Sequence, residues 1–233
     1  MKRPLISIVI ANYNYGRFLE EAICSVVAQG MGEKVELIIC DAASTDNSVE
    51  IIRKYACGLP PNTHRSEWQD DAKLQTPNCK LISWWCSEKD KGQSDAFNKG
   101  FSHACGKYLT WLNADDIYLP GALIAAERAF AHCPQAQWAT GNFIRFNQHN
   151  KIIIEAEWGP HYVPFILQGK IFPLSIFGPT VFWSREAFDA VGKIDENLHY
   201  TMDSDYWRRL TMSGFKYVRI NHDVWGFRMH EES

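Results

Sequence analysis

No apolar stretch of this chain approaches the roughly 20 residues that a bilayer-spanning helix needs. The first apolar run, LISIVIA, begins at Leu5 with no signal-peptide pattern before it, so the expectation is a cytosolic protein. Charge of neither sign is in excess. The 24 Lys+Arg stand against 27 Asp+Glu, a formal net charge of -3, and the 22% of charged residues is well mixed along the chain. That disfavours a disordered charged tail and a broad basic surface tracking a phosphate backbone, so no nucleic-acid partner is expected. The seven cysteines are odd in number and contain no CxxC pair, which gives neither a disulfide framework nor zinc-ribbon spacing. Cys24, Cys40, Cys86 and Cys105 read as small core hydrophobes, and His103 with Cys105 is the nearest approach to a metal-ligating pair. No GxGxxG turn follows the first apolar run and no GxxxxGK[ST] occurs, which removes nicotinamide-dependent dehydrogenases and P-loop nucleotidases.

What is present is material for a core. Of 233 residues, 46% are hydrophobic and 13% aromatic, and a chain of this length buries roughly 70% of its unfolded surface without staples. Residues 5–11, 35–40, 80–86 and 107–112 are apolar runs of strand length, and 18–28, 48–55, 93–104 and 120–132 carry helical spacing. Strands alternating with helices predict a mostly parallel sheet covered by helices on both faces, an α/β fold of Rossmann-like type, with ligands at the carboxyl ends of the strands. The polar clusters all fall at those ends. Residues 57–78 have three prolines and no period; they read as a surface excursion and receive no chemistry. After Thr140 the pattern turns β-rich, with GNFIRFN, KIIIEAEW and 217–220 as strands, 185–191 and 204–213 as helices, and no linker before it.

The segment WLNADD puts Asp115 and Asp116 side by side at the end of a buried strand, where they repel unless something positive intervenes. A Mg²⁺ or Mn²⁺ ion, which takes oxygen ligands and shares them with phosphates, answers that need; capping of the helix near Leu119 is the alternative. Asp203 and Asp205 open another helix, either as dipole-compensating carboxylates or as a general base. Asp41 is followed by Ala42, Ala43, Ser44 and Thr45, small residues that allow close approach of a flat base or sugar. In SEKDKGQSDAFNKG, Asp90 and Gly92 precede a helix and Lys89, Lys91 and Lys99 add positive charge, as ligand contacts or as a solvated loop.

SIVIANYN, ELIICDAASTDNS, SEKDKGQSDAFNKGF, GKYLTWLNADD, DSDYWRRL and FRMHEES, in this order, resemble the family 2 glycosyltransferases with a GT-A fold. The resemblance spans nearly the whole chain apart from residues 57–78 and 147–170. It implies one domain over 1–233, with 1–116 as the nucleotide-sugar-binding half and 117–233 as the acceptor and catalytic-base half. By position, Ala11 and Tyr13 correspond to nucleobase contacts, Asp41 to the carboxylate that accepts from a uracil-like ring nitrogen, and Asp90 to a further nucleoside contact. Asp115 and Asp116 fall on the acidic metal motif. Asn113 stands where many members carry its first aspartate, so one negative charge is missing and an amide faces the ribose instead. His230 matches a C-terminal histidine near the metal or diphosphate, and Asp203, with Asp205 beside it, matches the catalytic base.

The implied reaction is an inverting, metal-dependent hexosyl transfer. A UDP- or dTDP-linked donor would pass its sugar to a hydroxyl of a saccharide or lipid-linked saccharide, in polysaccharide or glycolipid biosynthesis, with peripheral membrane association if the acceptor is a lipid. The alternative is a catalytically silent nucleotide-binding or scaffold protein on the same fold. Trp158, His161, Tyr162, Phe165 and Phe177 could stack on acceptor sugars or belong to the core.

Overall fold

A computed structural model of the chain describes residues 3–67, 81–154, 164–167, 170–173, 178–198 and 200–231. The first half alternates as the sequence predicts: β1 (Ile6–Asn12), α1 (Gly16–Val27), β2 (Val35–Asp41), α2 (Ser48–Ala56), β3 (Ile82–Ser87), α3 (Gln93–His103) and β4 (Tyr108–Asn113). Then come β5 (Ile117–Tyr118), α4 (Ala122–His132), β6 (Trp138–Asn147), β7 (Ile152–Ile154), β8 (Pro164–Leu167), β9 (Lys170–Pro173), β10 (Val181–Ser184), α5 (Arg185–Val191), α6 (Met202–Met212) and β11 (Tyr217–Met229). Among the described residues the main sheet runs β3-β2-β1-β4-β10-β6-β11-β5, with β7 on β6, and β8 pairs β9 separately. From β3 to β4 all pairs are parallel, and antiparallel β10 then joins β4 to β6, so the sheet is continuous between the halves.

The pleat explains why β1 and β2 read as unbroken apolar runs. Ile6, Ile8, Ile10, Leu37 and Ile39 face one core with Leu19 and Ile23 of α1, Ile52 of α2 and Leu123 of α4. Val9, Ile38 and Cys40 face the other with Phe97 and Phe101 of α3, Ala187 of α5, and Trp207 and Leu210 of α6. In that second core Trp111 of β4 stacks on Trp207 with centroids 4.7 Å apart and meets Trp183 edge-on at 5.3 Å, which fixes α6 over the end of β4. Gly100 lets α3 lie against β1, since a Cβ there would come within 2.3 Å of Val9 Cγ1.

Several expectations are corrected. The last strand runs on to Met229 instead of ending at Ile220; an irregularity between Arg219 and Trp225, around polar His222 and Asp223, hides its second half, which resumes pairing with β6. β10 was not anticipated, and of KIIIEAEW only Ile152–Ile154 is a described strand. Cys40 and Cys86 are buried as expected, but Cys24 and Cys105 are exposed, one on the outer face of α1 and the other in the loop before β4. Cys57 is disulfide-bonded, although the cysteine pattern gives no sign of it. Among the described residues no helix is long and apolar enough to cross a membrane.

Candidate active site

The carboxyl ends of the parallel strands come into register. Asn12 pairs with Asp41, Ala11 with Asn113, and Asp41 with Ser87, so four strand ends present their polar residues along one edge. The turn after β4 is closely hydrogen-bonded. Asp116 is 1% exposed; its Oδ1 accepts from the Arg228 backbone N–H at 2.9 Å and its Oδ2 from Asn113 Nδ2 at 2.8 Å. Burial, followed by the neighbouring Asp115 charge, pushes the Asp116 carboxyl well above the usual carboxylate range, and those two donors oppose the shift only in part. Asp116 is thus a brace within the turn, with each oxygen already bonded by the chain.

Arg228 is the residue sequence reasoning passed over. Its side chain is 1% exposed, and Nε donates to the Asp115 carbonyl at 2.8 Å, Nη1 to Asn150 Oδ1 at 3.0 Å and Nη2 to Glu21 Oε2 at 2.7 Å. The guanidinium also lies over the rings of Phe18 and Phe146, 4.9 and 4.5 Å from their centroids. It ties β11 to α1 and to the acidic turn. Arg228→Met is expected to lower stability by about 2 kcal/mol, a fall of about 4–8 °C in melting temperature. Calorimetry of the variant checks this.

Asp115 points the other way. Its Oδ2 lies 3.0 Å from His230 Nε2, with side-chain exposures of 14% and 1%. His230 is held against Phe18 and Tyr15, with centroids 5.0 and 5.7 Å away. A carboxylate oxygen and an imidazole nitrogen facing each other at 3.0 Å, just past the ends of β4 and β11, form a donor set that fits a divalent cation such as Mn²⁺ and leaves other positions for diphosphate oxygens and water.

The two acidic clusters share a neighbour. Gln93 Nε2, at the start of α3, donates to Asn113 Oδ1 at 3.0 Å, and the next residue, Ser94, reaches Met202 Sδ at 3.1 Å and the Leu198 carbonyl at 3.3 Å. Met202 directly precedes Asp203, so the amino end of α3 touches both the acidic turn and the start of α6. The paired candidates there differ. Asp205 is taken by Arg209 at 2.7 Å and Arg208 at 3.2 Å. Asp203 is half-buried, its Oδ1 accepting only from the backbone and hydroxyl of Ser204, and among the described residues it has no salt-bridge partner.

On the β1–β2 side, Tyr13 is 60% exposed and Ala11 half-buried. Asp41 is 1% exposed and accepts from Asn12 Nδ2 at 2.6 Å, Ser44 Oγ at 2.5 Å, Ser44 N at 3.1 Å and Ser87 Oγ at 2.6 Å. Its acceptor capacity is filled by the chain, so a ring N–H reaches it only by replacing a serine hydroxyl. Beside it the buried Oδ1 of Asn12 has no hydrogen-bond partner among the described residues. Asp90 accepts from the Gly92 N–H at 2.9 Å, and burial raises its carboxyl above the usual range. Gly92 takes φ 117°, a backbone that side chains rarely adopt, where the chain turns into α3. Lys99 is paired with Glu88 at 2.9 Å and Lys91 lies 3.9 Å from Glu196. Trp158, His161, Tyr162 and Phe177 lie outside the described residues, and Phe165 is a backbone position of β8.

A family model described as Glycosyl transferase family 2 matches residues 7–192. Asp203, Asp205 and His230 lie beyond that span. An uncharacterized glycosyltransferase of Rickettsia prowazekii is 26% identical over 224 residues, covering 94% of this chain and 60% of the relative. One of Nostoc is 36% identical over 118 residues, 51% of this chain and 30% of the relative. The chain therefore spans less than two thirds of either. Among solved structures, S. aureus TarS 1-349 superposes with a TM-score of 0.71 at 13% identity, over 96% of this chain and 60% of that one. The mannosyltransferase PcManGT from Pyrobaculum calidifontis, in complex with GDP-Man and Mn2+, gives 0.67 at 17% identity, over 100% and 59%.

Proposed function

Since the chain belongs to glycosyl transferase family 2, with a GT-A fold, we propose that it transfers a sugar from a nucleotide-diphosphate donor to an acceptor hydroxyl with inversion at the anomeric carbon. The observation that carries this reading is the contact chain Asn113–Gln93–Ser94–Met202, which sets an acidic turn suited to a cation beside a carboxylate that has no ion-pair partner among the described residues. Asp115 and His230 would hold Mg²⁺ or Mn²⁺, which when bound neutralises charge building on the departing diphosphate. S. aureus TarS has been solved with UDP-GlcNAc, and PcManGT with GDP-Man and Mn2+. The TarS complex, with the resemblance that sets Asp41 at a uracil contact, makes a UDP- or dTDP-linked donor the first to test, and the PcManGT complex makes a GDP-linked donor the comparison.

In this reading Tyr13 offers its exposed ring to the base and Asn12 Oδ1 offers an unmet acceptor beside it. Asp203 takes the proton from the acceptor hydroxyl as that oxygen attacks the anomeric carbon, and the bond to the diphosphate oxygen breaks on the opposite face. Asp205, neutralised by two arginines, instead holds the first turn of α6 in place. Tyr200, 97% exposed just before α6, is placed to stack on a saccharide acceptor. Polysaccharide or glycolipid synthesis is the setting that fits such an acceptor. The test is release of nucleoside diphosphate from a panel of nucleotide-sugars with Mn²⁺, even to water alone. Cation-dependent release from one donor supports transfer; nucleotide binding without turnover of any donor or acceptor supports the silent-scaffold alternative.

A further inference from the structure

The amino-terminal end of the same sheet carries a second constellation. Glu36 is the second residue of β2, Cys105 lies just before β4, and His64 belongs to the excursion after α2. One ligand atom from each lies within 4.8 Å of the others, and Cys105 Sγ is 3.9 Å from His64 Nε2. We propose that Glu36, His64 and Cys105 form a binding site for Zn²⁺ or a similarly thiophilic divalent cation, separate from the Asp115–His230 pair. Strands rise about 3.3 Å per residue, so this site is on the order of 17 Å from the carboxyl edge and takes no part in donor binding.

Three features support it. The first is chemical: carboxylate, imidazole and thiolate from three separate segments are zinc ligands, and tetrahedral zinc sets sulfur and nitrogen about 3.6 Å apart, so little movement is needed. The second is electrostatic. Glu36 is 4% exposed and has no salt-bridge partner among the described residues, whereas buried carboxylates are normally paired or on a metal. Ser7 Oγ and the N–H groups of Cys105 and Gly106 donate to its Oε1 at 2.5, 2.5 and 3.0 Å, leaving Oε2 without a donor among those residues. The third is positional. His64 Nδ1 meets Ser66 Oγ at 2.7 Å and accepts from the Ser66 N–H at 3.3 Å, contacts that hold the ring with Nε2 turned toward Cys105. The excursion is tied to the sheet around it, with Asn62 N donating to the Trp85 carbonyl at 2.8 Å and Trp85 Nε1 to the Leu59 carbonyl at 2.8 Å. The fourth position stays open to water, and the ion would clamp the excursion onto the base of the sheet.

Cobalt(II) tests this directly, because a cobalt–thiolate bond gives a near-ultraviolet charge-transfer band that oxygen and nitrogen ligands do not. Titration of the full, metal-free chain is expected to give the band at one equivalent, with zinc abolishing it by competition. Cys105→Ser should remove the band, His64→Ala should weaken binding at least about tenfold, and Asp115→Asn should leave it unchanged. Cys105 and His64 lie outside the proposed transfer site, so circular dichroism and donor turnover report whether each variant is folded. Absence of a band, a band that persists in Cys105→Ser, or His64→Ala binding like the parent would each overturn the proposal.

Discussion

Asp203→Asn is expected to lose about 10²–10⁴ in turnover while binding the nucleotide-sugar as the parent does, because a general base acts only as the acceptor proton moves. The variant keeps nearly the same shape, and its amide oxygen can still accept from the Ser204 N–H, so a stability change cannot account for such a loss. Asp205→Asn is the internal control. Its carboxylate is committed to Arg208 and Arg209, partly exposed pairs worth little individually, so that variant should keep most of its turnover. Donor affinity by calorimetry and turnover by diphosphate release, measured on both, separate the two roles. If Asp205→Asn is the inactive one, or if Asp203→Asn turns over normally, the base has been misassigned.

The second large effect belongs to the acidic turn. Asp115→Asn and His230→Ala should each reduce kcat/KM by about 10² or more, since each removes a proposed ligand of the cation that stabilises leaving-group charge. They should also diminish the extra rise in melting temperature that Mn²⁺ adds to UDP, which follows the binding constant of the folded state. Arg228→Met offers the contrast: it braces the turn from behind, so its stability falls but its response to Mn²⁺ should remain. A Mn²⁺ response that survives intact in both Asp115→Asn and His230→Ala would remove these residues as ligands.

How much of this was legible in the sequence depends on where its physical signal lay. β1 to β4 and α1 to α3 were readable because a parallel strand buried on both faces must be apolar throughout and a covering helix must carry an apolar stripe. β10 was missed because VFWS is short and merges into α5, and β11 was cut short because His222 and Asp223 interrupt its pattern. Among site residues, the sequence marks Asp115 and Asp116 as equals. The fold separates them, turning Asp116 inward to Arg228 and Asn113 while Asp115 meets His230, and nothing in the spacing of adjacent residues distinguishes these fates. The FRMHEES string held Arg228 as well as His230, but a buried arginine has no periodic signature. Likewise His64 sat in a stretch without a pattern, and His103, the partner first expected for Cys105, instead stacks on Trp84 at 3.8 Å.

The most direct measurement is a crystal structure of the chain soaked with Mn²⁺ and UDP. The account predicts manganese on Asp115 and His230, the diphosphate beside it at the amino end of α3, and the Asp203 carboxylate opening into the same cleft. Manganese bound elsewhere, or an Asp203 side chain directed away from the diphosphate, would contradict it.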